Sequence, residues 1–167
     1  RQMCIRDSVR RLDDLGRLVI PKEIRKQYRL REGDNIEIFT DEERIIIQKF
    51  DALSKYTEEI IVMCDVLKDM LHNTVLFIQD EKTCLQPRKL KPIFFRSVRQ
   101  VRKAIDFDSE YIFEDDSRAY GGRIFPVVAD SDWYGAFVVV YDNRSVSKSE
   151  LNIAEAFAQL LTRQQQQ

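Results

Sequence analysis

The chain has 167 residues, 44% of them apolar and 33% charged, with a formal net charge of −1. That balance describes a soluble globular protein, and no apolar run reaches the roughly 18 residues a bilayer-spanning helix needs, so the disordered and membrane-spanning classes are excluded. The length suits one small domain followed by one of medium size.

Residues 1–8, RQMCIRDS, do not begin with methionine, show no secretory apolar core and carry no pattern that continues into the next segment. They read as partly non-native. From residue 9 the pattern becomes regular. "SVRRL" and "GRLVI" are short strand-like runs separated by Asp13-Asp14-Leu15-Gly16, which is turn chemistry. Pro21 suits the first turn of a helix, and "PKEIRKQYRL" supplies Ile24 and Tyr28 four residues apart. Gly33 in "REGD" ends that element, "NIEIF" alternates, "TDEER" turns, and "RIIIQKF" is a second strand of a hairpin. The expected order over 9–50 is strand, strand, short helix, hairpin.

A unit of about 42 residues without metal ligands or disulfides lies at the limit of what one core can support. Val19, Ile20, Ile36, Ile38, Ile45 and Ile47 need a second copy to cover them, so obligate dimerisation is expected.

Residues 51–72 have Leu53, Ile60, Cys64, Leu67 and Leu71 at mostly helical spacing. "TVLFIQD" reads as a strand, "QPRKLKPI" as a loop, and "FFRSVRQVRKAI" as a helix with Phe94, Val98, Val101 and Ile105 on one face. "SEYIF" is a short strand. "RIFPVVADSDWYGAFVVVYD" is a hairpin around a polar turn, with Gly135 at the re-entry. The last helix, "SKSELNIAEAFAQLL", presents Leu151, Ala154, Phe157, Ala158 and Leu161 together, with Ser147 and Glu150 spaced as a capping box. The domains expected are 9–50 and 51–164, the second with enough chain for its own core.

Charge is unevenly placed. Between Val9 and Arg31 eight basic residues face three acids, a net of +5, whereas Glu32–Phe50 carries a net of −4. A solvated face is the plain reading of such a cluster. Its placement around a strand-turn-strand-helix, in a unit too small to need it for solubility, points instead to an anionic partner. Arginine's planar fork takes phosphate or a guanine edge two bonds at a time.

The stretch "VRRLDDLGRLVIPKEIRKQYRLREGDNIEIFTDEERIIIQKF" resembles the AbrB-type swapped-hairpin DNA-binding domain almost from end to end. It has the arginine, polar turn, Leu-Gly-Arg, branched triplet, Pro and Glu-Ile-Arg in order. The domain order, the hairpin and the closing helix make the whole chain similar to regulators of the SpoVT/AbrB family with a GAF-like C-terminal domain. The resemblance implies an α+β chain: a swapped-hairpin β-barrel formed by two chains, then a GAF-like α/β sensor domain. It implies contacts to double-stranded DNA at Arg10, Arg17 and Arg25, and at Lys26, where arginine is more usual in the family. Lysine there keeps the phosphate attraction and loses the bidentate geometry. Arg11 is expected as a further phosphate contact. The family's Gly-Ile before Val-Arg is here Asp7-Ser8.

Other constellations are plainer. Cys4, Cys64 and Cys84 are odd in number, match no zinc or redox spacing, and are expected as reduced thiols in the cytosol. His72, the one histidine, falls near a helix end with no nucleophile pattern. Asp106, Asp108, Glu110, Glu114, Asp115 and Asp116 lack the order of a calcium loop and read as a solvated stretch. "YGGRIF" lacks a P-loop lysine and reads as a turn. Arg88, Lys89, Lys91, Arg96, Arg99, Arg102 and Lys103 read as a solvated basic face; an anionic ligand or an added DNA contact is the alternative.

The chain is therefore expected to be a non-enzymatic bacterial transcription regulator of transition-state or sporulation control. No catalytic residues, metal or cofactor are expected. It should be cytoplasmic and nucleoid-associated, a homodimer that assembles into a homotetramer, with an unidentified ligand or partner sensed by the C-terminal domain. Two rivals remain open: an antitoxin that binds its own operator and a toxin, and a ligand-sensing module whose N-terminal unit only dimerises.

Overall fold

A computed structural model describes residues 9–79 and 88–166. Cys4, Cys84, residues 1–8 and the start of the predicted loop at Gln86 and Pro87 lie outside the described residues. The chain is mixed α and β and divides into two units, Arg1–Asp51 and Ala52–Gln167.

In the first unit a turn forms where Asp13-Asp14-Leu15-Gly16 predicts one. The Gly16 N–H donates to Asp13 O at 3.1 Å, and Gly16 takes φ 75°, a conformation that costs glycine little. The flanking runs 9–12 and 17–20 are not strands in the single chain, contrary to the sequence reading. A strand exists through its ladder, and in this unit the only ladder among the described residues joins β1 (Ile36–Asp41) to β2 (Arg44–Lys49). Helix α1 (Lys22–Gln27) follows Pro21, which stands just before it as the cap. It stops in a Schellman turn: Leu30 N–H donates to Arg25 O at 2.8 Å, and Arg29 sits at φ 55° where glycine is usual.

The β1–β2 register pairs Ile38 with Ile47 and Thr40 with Ile45. Opposite residues share a face, so Ile36, Ile38, Ile45 and Ile47 form one apolar side. The other carries Phe39 opposite Ile46 at its centre, with polar pairs on either side: Gln48 Nε2 donates to Glu37 at 3.0 Å and Arg44 to Asp41 at 2.7 Å. No described residue of this unit is buried.

The second unit has its own core. A 3-10 turn (Ser54–Tyr56) leads into α2 (Thr57–Leu71), which buries Ile60, Cys64, Leu67 and Leu71. Strands β3 (Thr74–Ile78), β4 (Ile105–Tyr111), β5 (Ala119–Ala129) and β6 (Asp132–Val140) form an antiparallel sheet in the order β3-β6-β5-β4. Val75, Phe77, Phe137 and Val139 pack with α2 and with α4 (Asn152–Gln165); Leu76, Ile78, Val138 and Val140 pack with α3 (Pro92–Arg99). Both faces are covered, which is why β3 and β6 are unbroken apolar runs rather than alternating ones. The β5–β6 turn places Asp130 and Ser131 at φ 51° and 70°, as a two-residue hairpin requires. At Gly135 the backbone runs so close to Phe77 that a Cβ would stand 2.6 Å from its ring.

Helix α3 is shorter than its spacing predicts. It ends at Arg99; Val101 lies in the following loop and Ile105 opens β4. Pairing of Ile105 with Ile124 decides the matter, since a ladder outweighs a weak helical period. The strand predicted at "SEYIF" accordingly starts earlier, and Ile112 and Phe113 lie beyond its end. The Ser147–Glu150 box does close, with Ser147 N–H on Glu150 Oε2 at 2.8 Å, but one turn ahead of α4, which begins at Asn152. Among the described residues no helix is long and apolar enough to cross a membrane.

Candidate nucleic-acid interface

All five residues singled out by sequence, Arg10, Arg11, Arg17, Arg25 and Lys26, are exposed. Arg10 and Arg11 lie on the arm before the turn and Arg17 directly after it. The two sides are linked by the Asp13 N–H on Arg17 O at 3.2 Å. Arg25 and Lys26 occupy the last turn of α1, where a cation meets the favourable end of the helix dipole. Arg10 Nη1 donates to Val9 O at 3.1 Å, a local contact that leaves the rest of the guanidinium available.

Arg17 is held more firmly. Its Nε donates to Asp13 Oδ2 at 2.6 Å, while Asp13 Oδ1 accepts the N–H groups of Leu15 at 2.9 Å and Arg17 at 2.8 Å. The backbone N–H of Arg17, followed by its guanidinium, holds the Asp13 carboxyl below its ordinary range. Sequence reasoning placed Asp13 in the turn and missed its grip on Arg17. The available signal was an Asp whose side chain reaches backbone N–H groups two to four residues on. The acidic half of the unit partly neutralises itself, through Asp41 with Arg44 and Asp34 with Lys49.

The second basic run does not form one face. Arg88 stacks 3.6 Å over Phe113 and donates Nη2 to Asp115 and Asp116 at 2.6 Å each; Tyr120 Oη donates to Asp116 at 2.7 Å. Tyr120 and then Arg88 lower the Asp116 pKa, and Arg88 lowers that of Asp115. The Arg99 guanidinium stands 6.0 Å from the Phe95 ring centroid and 5.8 Å from that of Trp133, and Arg102 Nη1 donates to Arg99 O at 2.7 Å. Arg96, Arg99 and Arg102 do not continue along one helix, because α3 ends at Arg99. The same contacts correct the reading of the acidic stretch as merely solvated: Asp115 and Asp116 clamp Arg88, and Asp106 accepts from Arg123 at 2.8 Å. Among the described residues no three His, Cys, Asp or Glu converge as metal ligands would. His72 is an exposed helix cap at φ 53°. Sequence reasoning also passed over Asn73, the buried polar residue whose side chain accepts the N–H groups of Asn143 and Arg144 at 3.0 Å and fastens β3 to the loop after β6.

Comparison with known proteins adds to this geometry. Residues 9–51 match the family model of the bacterial antitoxin MazE, described as antidote–toxin recognition. Stage V sporulation protein T of Bacillus subtilis strain 168 is 30% identical over 174 residues, spanning 95% of this chain and 97% of that protein. The transition state regulatory protein AbrB of the same organism is 48% identical over 42 residues, 25% of this chain and 44% of its own length. A solved domain attributed to a two-component sensor histidine kinase protein of Sinorhizobium meliloti 1021 superposes with a TM-score of 0.43 at 19% identity, over 68% of this chain and 93% of that one.

Proposed function

We propose that this chain, which belongs to the family of stage V sporulation protein T, is a DNA-binding transcription regulator of transition-state or sporulation type. Two copies of residues 9–50 exchange hairpins into one barrel, and its cationic side grips the duplex. Arg10, Arg17 and Arg25 supply bidentate contacts; Arg11 and Lys26 act on phosphates. The observation that carries this reading is the uncovered apolar side of the β1–β2 hairpin: Ile38 is 67% and Ile45 72% exposed in the single chain. A second copy would cover that side and give the arms 9–12 and 17–20 the ladder partners they lack. It would also double the basic segment.

In this reading the C-terminal unit is GAF-like, responds to a ligand or a protein partner, and pairs dimers into a tetramer through α2 and α4. Exposed Ile61, Val62 and Met70 on α2 and Leu160 on α4 support that role for the two helices. The protein works in the bacterial cytoplasm at the nucleoid and performs no catalysis.

The test is gel retardation of a mixed-sequence duplex by the full chain across a salt series. Binding should weaken steeply, with a log–log slope of about −0.9 per phosphate contact. No retardation at the lowest salt would overturn the reading and leave a sensor whose N-terminal unit only dimerises. The MazE match over 9–51 favours a second reading, an antitoxin. A toxin-wrapping tail would be extended, whereas the C-terminal unit packs both faces of a sheet. A protease-resistant fragment from about residue 52 would exclude it.

A further inference from the structure

We infer that Asp13 is a positioning residue for sequence discrimination, one that fixes which edge of the Arg17 guanidinium meets a base. The inference rests on the DNA-binding reading above and deepens it. A guanidinium can present two edges to a two-acceptor partner: the side edge, with Nε and one Nη, or the end, with both Nη atoms. In this chain the side edge is taken, because Arg17 Nε donates to Asp13 Oδ2 at 2.6 Å. Only the end remains for bidentate contact with a base edge.

The carboxylate that does this is itself fixed. Asp13 Oδ1 accepts two backbone N–H groups, from Leu15 and Arg17, and the turn is closed by Gly16 N–H on Asp13 O. The guanidinium is therefore tethered to the tip of a braced turn rather than to a swinging partner, which lowers the ordering cost of binding. Stability does not account for the pair. Arg17 is 73% and Asp13 35% exposed at the side chain, and exposed ion pairs contribute little to folding. An acid beside the phosphates also weakens general attraction to DNA. Its benefit must lie in geometry.

Two different effects follow on removing the charge. Asp13→Asn keeps an Oδ1 for the Leu15 and Arg17 N–H groups, so the turn survives, but it releases Nε. Attraction to any duplex should hold or rise slightly, while preference for a particular sequence should fall. The experiment uses the full chain. Wild type first enriches a preferred duplex from a random pool. Affinity for that duplex is then compared with affinity for a scrambled duplex of equal composition.

Asp13→Asn should lower the preference about tenfold, within the range of one bidentate base contact, while binding the scrambled duplex at least as tightly as wild type. Arg17→Ala should lose the same preference and also bind the scrambled duplex more weakly. The double variant should discriminate no worse than Arg17→Ala, because the two residues act as one unit. Wild-type preference in Asp13→Asn, or preference losses that simply multiply in the double variant, would overturn the inference. So would a drop in melting temperature that parallels the loss of preference in Asp13→Asn, since the pair would then be serving the fold. Failure of wild type to retain any duplex would instead remove the DNA-binding reading itself, a result that cannot be confused with the others.

Discussion

The hairpins β1–β2 and β5–β6 are both antiparallel, both rich in branched apolar residues, and both closed by tight turns. They differ in what covers them. Phe137, Val138 and Val139 are fully buried between α2 and α4 on one side and α3 on the other, whereas Ile38 and Ile45 stand largely in solvent. Local sequence specifies the hairpin in each case; burial depends on whether the same chain supplies the covering layer. Where it does, the unit is self-sufficient. Where it does not, among the described residues, the face stays open; large exposed apolar patches are rarely left so, and in the proposed reading a second copy closes it.

The sharpest way to break this contrast is a charge on the uncovered face. At a site exposed in the working protein, Ile38→Asp would shift stability by no more than about 0.5 kcal/mol. If the face is buried between two copies, it should cost on the order of several kcal/mol, because an unpaired carboxylate would be desolvated. The expected outcome, read by sedimentation and gel retardation, is loss of the N-terminal pairing and of DNA binding together. The counterpart in the covered unit is Phe77→Ala. Phe77 is buried and meets Phe137 edge-to-face at 4.9 Å, so truncation should cost about 3–5 kcal/mol by denaturant melting of the C-terminal unit. The N-terminal pairing should persist.

A smaller effect is expected at the interface side chains. Arg17→Ala or Arg25→Ala should weaken DNA binding by about 1–3 kcal/mol and leave the sedimentation profile unchanged. Equal retardation by wild type and both variants would reject these assignments. The smallest effect concerns acid stability. Arg144, then the N–H and hydroxyl of Ser147, depress the Glu150 pKa from 4.5 to about 2. A carboxylate lowered on folding contributes stability that is present above its unfolded value and lost as pH falls through the folded one. Glu150→Gln should therefore lower the melting temperature slightly near neutrality, where that contribution is present, and the difference from wild type should vanish as pH falls from 4.5 towards 2.

How much of this was legible in the sequence follows the same division. The β5–β6 hairpin, α2 and α4 were readable because their partners are close in the chain and their apolar period is strong. The end of α3 was misread because Val101 and Ile105 continue a helical spacing by chance, while the ladder from Ile105 to Ile124 is a non-local pairing that no local period reveals. The Arg88 clamp was hidden for the same reason, its carboxylates lying 27 and 28 residues away. The arms 9–12 and 17–20 are a different case. Their composition is strand-like, yet among the described residues of one chain they have no ladder partner. At the candidate interface, the basic residues stand out by placement, whereas the brace on Arg17 does not, since an aspartate in a turn does not announce which side chain it will hold.

In the proposed reading, residues 9–51 acquire a core only by joining a second copy. Sedimentation equilibrium on residues 9–51 alone, with circular dichroism followed at each concentration, tests it most directly. The expected result is a two-chain species whose melting midpoint rises with protein concentration, and loss of structure when it dissociates. A segment that remains folded as a single subunit, with a midpoint independent of concentration, would contradict it.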